Sequence, residues 1–240
     1  MAQILIEAAC ETTEDARAAA AGGADRLELC AALDLGGLTP SWGFVRDVRT
    51  DVPLPVAVML RPRPGDFVYS DADVKVMARD LESFKHLTPS AYVFGLLTPD
   101  AEIDTDRCAE LIRLAQPTPC VFHRAFDRAR NLRTGLEVLI QIGFQRVLTS
   151  GRAPTAVEGI PNLRELQAIA AGRIEILPGG GIRADTAADV IQGTGCRQVH
   201  ASFAEEIPES SDRGRAGYPP RNRLSQALVA ATRAAVDQLV

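Results

Sequence analysis

The sequence predicts an α/β fold, a single TIM-type (β/α)8 barrel with an extra C-terminal helix. Short apolar segments recur eight times along the chain, and stretches with helical spacing lie between them. The 240 residues also suit the roughly 250 residues typical of such barrels. A doubly wound sheet is the alternative α/β arrangement. Against it, no strand is followed by GxGxxG, and the natural unit count is eight.

The eight expected strands are "ILIEA" (4–8), "RLELC" (26–30), "VAVML" (56–60), "AYVFG" (91–95), "CVFH" (120–123), "RVLTS" (146–150), "IEILP" (174–178) and "QVHAS" (198–202). Between the third and fourth, "DADVKVMARDLESFKHL" (71–87) places Val74, Met77, Leu81 and Phe84 on one helical face and Asp73, Lys75, Arg79 and Glu82 elsewhere. Glycine precedes the strand at a similar offset in "GGADRLEL", "GFQRVLTS" and "GTGCRQVH", as suits a helix ending in the left-handed conformation. Ser41 is the expected N-cap before Trp42. The barrel is expected over 1–204. The charged, Ser-, Gly- and Pro-rich stretch 205–222 reads as a flexible surface loop, and 223–240 as a helix packed on the barrel.

With 46% hydrophobic residues, 24% charged residues and a net charge of -5, the composition carries no bulk attraction for nucleic acid. No apolar run approaches the ~18 residues of a membrane span, and the N-terminus lacks a basic start followed by a long apolar core. A cytoplasmic protein with no membrane partner is expected. Five cysteines without a CxxC suggest reduced thiols rather than a disulfide framework.

In this fold the carboxyl ends of the strands form the functional face. Polar residues gather there: Glu7, Glu28, Arg61, His123 and Arg124, Thr149 and Ser150, and His200. Alternation puts Glu28 and Cys30 on one face of their strand and Leu27 and Leu29 on the other. A carboxylate inside a barrel needs a partner, and Arg61 on the next strand is the expected one. His123, with Asp127 or Glu28 to orient it, is a candidate general acid/base. His200 is the second candidate for proton transfer. "PGGGI" (178–182), with Gly179, Gly180 and Gly181, and "TSG" (149–151), with Ser150 and Gly151, supply backbone N–H groups for an oxyanion. Arg124 and Arg61 add guanidinium groups suited to a phosphate or carboxylate. Together these point to a small anionic ligand.

"GGADRLELCAALDLGGLTPSWG", "RPRPGDFVYSDADVKVM", "FGLLTPDAEID", "FHRAFD", "GFQRVLTSG" and "PGGGI" resemble the signature blocks of the CutC family, over about residues 4 to 203. The resemblance implies a TIM-barrel-like fold, a cytoplasmic protein, frequent homo-oligomers, and a link to copper homeostasis through proposed Cu(I) binding by two cysteines. Cys30 matches one of them. The other falls at Ala9, with Cys10 one residue further on, and along a strand that slip turns the side chain to the other face. Met59 is a softer inward-facing substitute. Pro64 and Ala101 stand where the family pattern has glycine. Two functions are therefore expected side by side: copper homeostasis through Cu(I) at Cys30 and Cys10, or an enzyme or binding protein for a small anionic metabolite.

Overall fold

The computed structural model describes residues 3–207 and 222–239. Among the described residues eight parallel strands alternate with seven α-helices: β1 (Leu5–Cys10), α1 (Thr13–Ala21), β2 (Arg26–Leu29), α2 (Trp42–Asp51), β3 (Val56–Met59), α3 (Asp71–Lys85), β4 (Ala91–Phe94), α4 (Thr105–Ala115), β5 (Cys120–Phe122), α5 (Leu132–Ile142), β6 (Arg146–Thr149), α6 (Ile160–Ala170), β7 (Glu175–Pro178), α7 (Ala184–Thr194) and β8 (Gln198–Ala201). The short antiparallel strands β9 (Ala204–Glu206) and β10 (Asn222–Leu224) and the helix α8 (Gln226–Asp237) complete the order. The eight-stranded sheet runs β7-β6-β5-β4-β3-β2-β1-β8, and a parallel bridge from Gly179 to His200 closes the seam between its two edge strands. This is the expected TIM barrel.

Alternation along the strands divides the core. Val56 and Val58 of β3 face the helices with the larger apolar cluster. Ala57 and Met59 face the axis with Cys30, Ala91, Val93 and Val121. On α3 the expected stripe of Val74, Met77, Leu81 and Phe84 is the buried face; each such side chain contributes about 2 kcal/mol of burial. Ser41 caps α2 by accepting from Phe44 N at 3.2 Å. Gly143 and Gly195 end α5 and α7 in the left-handed conformation, with φ 96° and 75°.

The expected loop at 205–222 is corrected at its ends, because Glu205, Glu206 and Asn222 belong to the β9–β10 ribbon. That ribbon is anchored where Leu224 N donates to Asp15 Oδ1 at 2.9 Å. Residues 208–221 lie outside the described residues. Val229 and Val236 bury α8 against α7 and α1.

Candidate functional site

At the carboxyl ends of the strands a cavity of about 790 Å³ opens, its wall including Ala9, Glu28, Met59, Arg61, Phe67, His123, Arg124, Asp127, Gly180, Gly181 and His200. Just beneath it, parallel register sets Glu7 beside both Arg26 and His200. Arg26 Nε donates to Glu7 Oε2, and His200 Nδ1 lies 2.8 Å from Glu7 Oε1. Arg26 Nη2 also donates to Gln198 Oε1 at 3.1 Å, and Gln198 Nε2 to the Ile176 carbonyl at 3.1 Å. Burial alone would push the Glu7 carboxyl up, but the Arg26 guanidinium and the His200 hydrogen bond outweigh it and hold the group well below the carboxylate range. Glu7, 2% exposed, is a fixed anion that fixes the His200 ring.

Glu28, 3% exposed, meets the other edge of that ring, its Oε2 3.7 Å from His200 Nε2. Cys30 Sγ donates to the same oxygen at 3.4 Å, and Glu28 Oε1 has no hydrogen-bond partner among the described residues. Burial, with Glu7 nearby, pushes the Glu28 carboxyl up despite the pull of His200. For His200, burial lowers the value, but Glu28 and Glu7 prevail and raise it. A carboxyl and an imidazole, both with raised pKa, thus face each other at the cavity wall, and groups this close titrate as a pair.

Arg61 does not pair with Glu28, contrary to the sequence expectation. Its Nη1 donates to the carbonyls of Leu35 and Gly37 at 2.8 and 3.0 Å, and its Nη2 to that of Gly65 at 3.0 Å. At 3% exposure it has no carboxylate within 4.0 Å and an unpartnered Nε among the described residues. The physical reason is reach: the guanidinium ties down the loops after β2 and β3, while Glu28 points the other way, past β1, at His200. His123, 4% exposed, is likewise joined by no hydrogen bond to Asp127 or Glu28. Its Nδ1 accepts from Ala125 N at 3.3 Å. Burial, then the Arg61 charge, lowers its pKa to about 3. Burial and Arg61 thus favour the neutral imidazole, whose Nε2 is buried without a hydrogen-bond partner among the described residues.

Asp127 instead organises the loop after β6. Its carboxylate accepts from Thr149 Oγ1 at 2.5 Å, from Ser150 N at 3.1 Å and Arg152 N at 3.0 Å, and from Arg124 Nε at 2.9 Å. Arg124 Nη2 reaches Ser150 Oγ at 2.8 Å. Gly180 and Gly181 line the cavity, whereas Ser150, Gly151 and Gly179 stand behind its wall. Gly179 lies close beneath Leu148, whose Cδ1 would stand 2.6 Å from a Cβ there and would have to shift to admit it.

The thiols are not brought together as a ligand pair. Cys10 belongs to the outer apolar cluster and Cys30 to the inner one, while Ala9 occupies the inward position on β1. Two facing thiolates would make a linear Cu(I) site, and this residue pair does not fit it. Burial pushes both thiols well above their usual range. The carboxylate and imidazole atoms of Glu7, Glu28 and His200 lie within 4.8 Å of one another. Both Glu7 oxygens are engaged, however, and oxygen donors do not favour Cu(I).

Residues 4–205 match the family profile described as the CutC family. The chain belongs to the CutC family. It is 43% identical over 198 residues to the human protein named copper homeostasis protein cutC homolog, covering 82% of this chain and 72% of that one. A CutC family protein of Rhizobium meliloti is 39% identical over 240 residues, 99% of this chain and 98% of that one. The crystal structure of the copper homeostasis protein CutC from Streptococcus agalactiae superposes with a TM-score of 0.80 at 34% identity, covering 83% of this chain and 99% of that one. Within this CutC barrel, sequence reasoning missed Arg26, Gln198 and Gly95. Alternation could have found Arg26, which shares the inward face of β2 with Glu28 and Cys30.

Proposed function

We propose that this CutC-family barrel takes a small anionic, phosphate- or carboxylate-bearing metabolite into its cavity and acts on it by acid–base chemistry at Glu28 and His200. One observation carries the reading: a buried carboxyl and a largely buried imidazole, 3.7 Å apart, both with raised pKa and both facing a cavity whose buried Arg61 pairs with no carboxylate among the described residues. Glu28 serves as acid or base toward the ligand, and His200 exchanges its proton. Glu7 and Arg26 act as positioning residues, because a fixed Glu7 anion keeps a hydrogen on Nδ1 and leaves Nε2 to titrate. Arg61, Arg124 and the amides of Gly180 and Gly181 receive negative charge.

Proton transfer is testable without knowing the product. Small carboxylates and phosphate esters incubated with the protein in D2O should include a compound that acquires deuterium at carbon. Glu28→Gln and His200→Gln, checked for fold by circular dichroism, should abolish the exchange. Exchange that persists in both variants overturns the reading.

A second reading follows the names of the relatives, in which the chain handles Cu(I) as cargo in copper homeostasis. It is favoured by Cys30 and Met59, which share the inner apolar cluster of the barrel; thiolate and thioether are soft donors. Cu(I) titration against a competing chelator should show tight binding that disappears in Cys30→Ala. Binding unchanged by that substitution removes this reading. A cytoplasmic, homo-oligomeric protein is part of both proposals.

A further inference from the structure

We propose that Arg61 and His123 form a subsite for one monoanionic carboxylate, which deepens the acid–base reading above by naming the charged end of its ligand and rests on it. The two residues follow β3 and β5, and side chains from alternate strands of a barrel meet in one layer. Gly95, which directly follows the intervening β4, makes the meeting possible. A Cβ there would stand 2.7 Å from His123 Nδ1 and 2.9 Å from its Cε1, so the imidazole lies directly over the tip of β4. The Phe67 ring touches both groups, its centroid 5.0 Å from that of the imidazole and 5.1 Å from Arg61 Cζ.

The donor count and the charge count agree on the ligand. Arg61 spends Nη1 and Nη2 on carbonyls, which orient the guanidinium without neutralising it, and leaves Nε unpartnered among the described residues. His123 uses Nδ1 as an acceptor, so its hydrogen sits on Nε2, also buried and unpartnered. The imidazole adds no charge, since burial and Arg61 keep it neutral. One positive charge with two N–H donors matches the single charge and two oxygens of a carboxylate. A phosphate dianion would bring a second negative charge against Arg61, which among the described residues is the one buried cation in the cavity wall; an uncompensated buried charge is costly.

The test uses [1-13C]propionate and inorganic phosphate, each titrated by NMR into wild type, His123→Phe and His123→Gln at pH 7.5. His123→Phe keeps the ring and removes the donor, while His123→Gln restores an N–H. Propionate should bind wild type more tightly than phosphate does. Its affinity should fall about tenfold in His123→Phe, as the loss of one charge-supported hydrogen bond predicts, and recover to within about threefold in His123→Gln. Tighter phosphate binding, or propionate binding unchanged in His123→Phe, overturns the subsite. The D2O experiment keeps the failures apart. Deuterium exchange that still requires Glu28 while propionate ignores His123 sinks the carboxylate subsite alone. Propionate binding that follows His123 without any Glu28-dependent exchange sinks the acid–base reading.

Discussion

Glu7 and Glu28 approach the His200 ring from opposite edges, 2.8 Å from Nδ1 and 3.7 Å from Nε2, and their carboxyl groups are shifted in opposite directions. Arg26 makes the difference. Among the described residues it forms an ion pair with Glu7 alone, which holds that carboxyl ionised while the Glu28 carboxyl is pushed up.

Removing that arginine should therefore be severe. In Arg26→Met the Glu7 carboxylate stays buried without its cation, and breaking a buried pair from one side costs about 3–5 kcal/mol. Urea unfolding should show a midpoint lowered accordingly. The double variant Arg26→Met/Glu7→Gln should recover much of the loss. A single variant that unfolds with wild type would mean the pair contributes nothing.

The two site histidines should give stability opposite slopes with pH. For His123 the folded pKa of about 3 lies below the unfolded value of about 6.5, so the unfolded chain takes up the proton first. Stability is then lost as pH falls below about 6.5, by about 2 kcal/mol at pH 5. His200 has a raised folded pKa; its contribution is complete below its unfolded value and fades as pH rises through the folded one. Comparing denaturation of wild type and His123→Phe from pH 5 to 7 isolates the first effect. Parallel stability curves for the two proteins would contradict it.

Gly95→Ala should displace the His123 ring, because the new methyl would stand 2.7 Å from Nδ1. Overpacking of this kind costs about 1–3 kcal/mol and should also weaken propionate binding. Gly43→Ala on α2, where a Cβ meets nothing within 4 Å, is the control and should be neutral or slightly stabilising. Equal behaviour of the two variants in thermal melts would show that the β4 tip is not crowded.

Thiol chemistry separates the two cysteines of the copper reading. All five cysteines are buried, so a thiol reagent should label the native protein slowly and the unfolded one at once. Cys10→Ser should leave any Cu(I) affinity intact, since that side chain faces the helices. A Cu(I) affinity that collapses in Cys10→Ser but survives in Cys30→Ala would reverse the assignment.

Strand alternation, the α3 stripe and the glycine joints made the barrel legible in the sequence, because each reports a local period or conformation. The rim residues were also legible as a set. Their pairing was not, since it depends on where long side chains end up. Arg61 looked like the partner of Glu28 by strand adjacency, yet its guanidinium reaches loop carbonyls. Asp127 looked like the partner of His123 four residues away, yet a turn of 3-10 helix at Arg124–Arg128 carries it to the β6 loop. Gly95 was invisible because a glycine's role is set by the side chain that crosses it.

The chain contains three histidines, so side-chain 15N NMR from pH 5 to 9, assigned with His123→Phe and His200→Gln, tests the division of labour at the site most directly. The account predicts that His123 remains neutral with its hydrogen on Nε2 across the whole range, while His200 titrates above the ordinary histidine value with Nδ1 always protonated. A His123 that titrates near neutrality, or a His200 that stays neutral throughout, would contradict it.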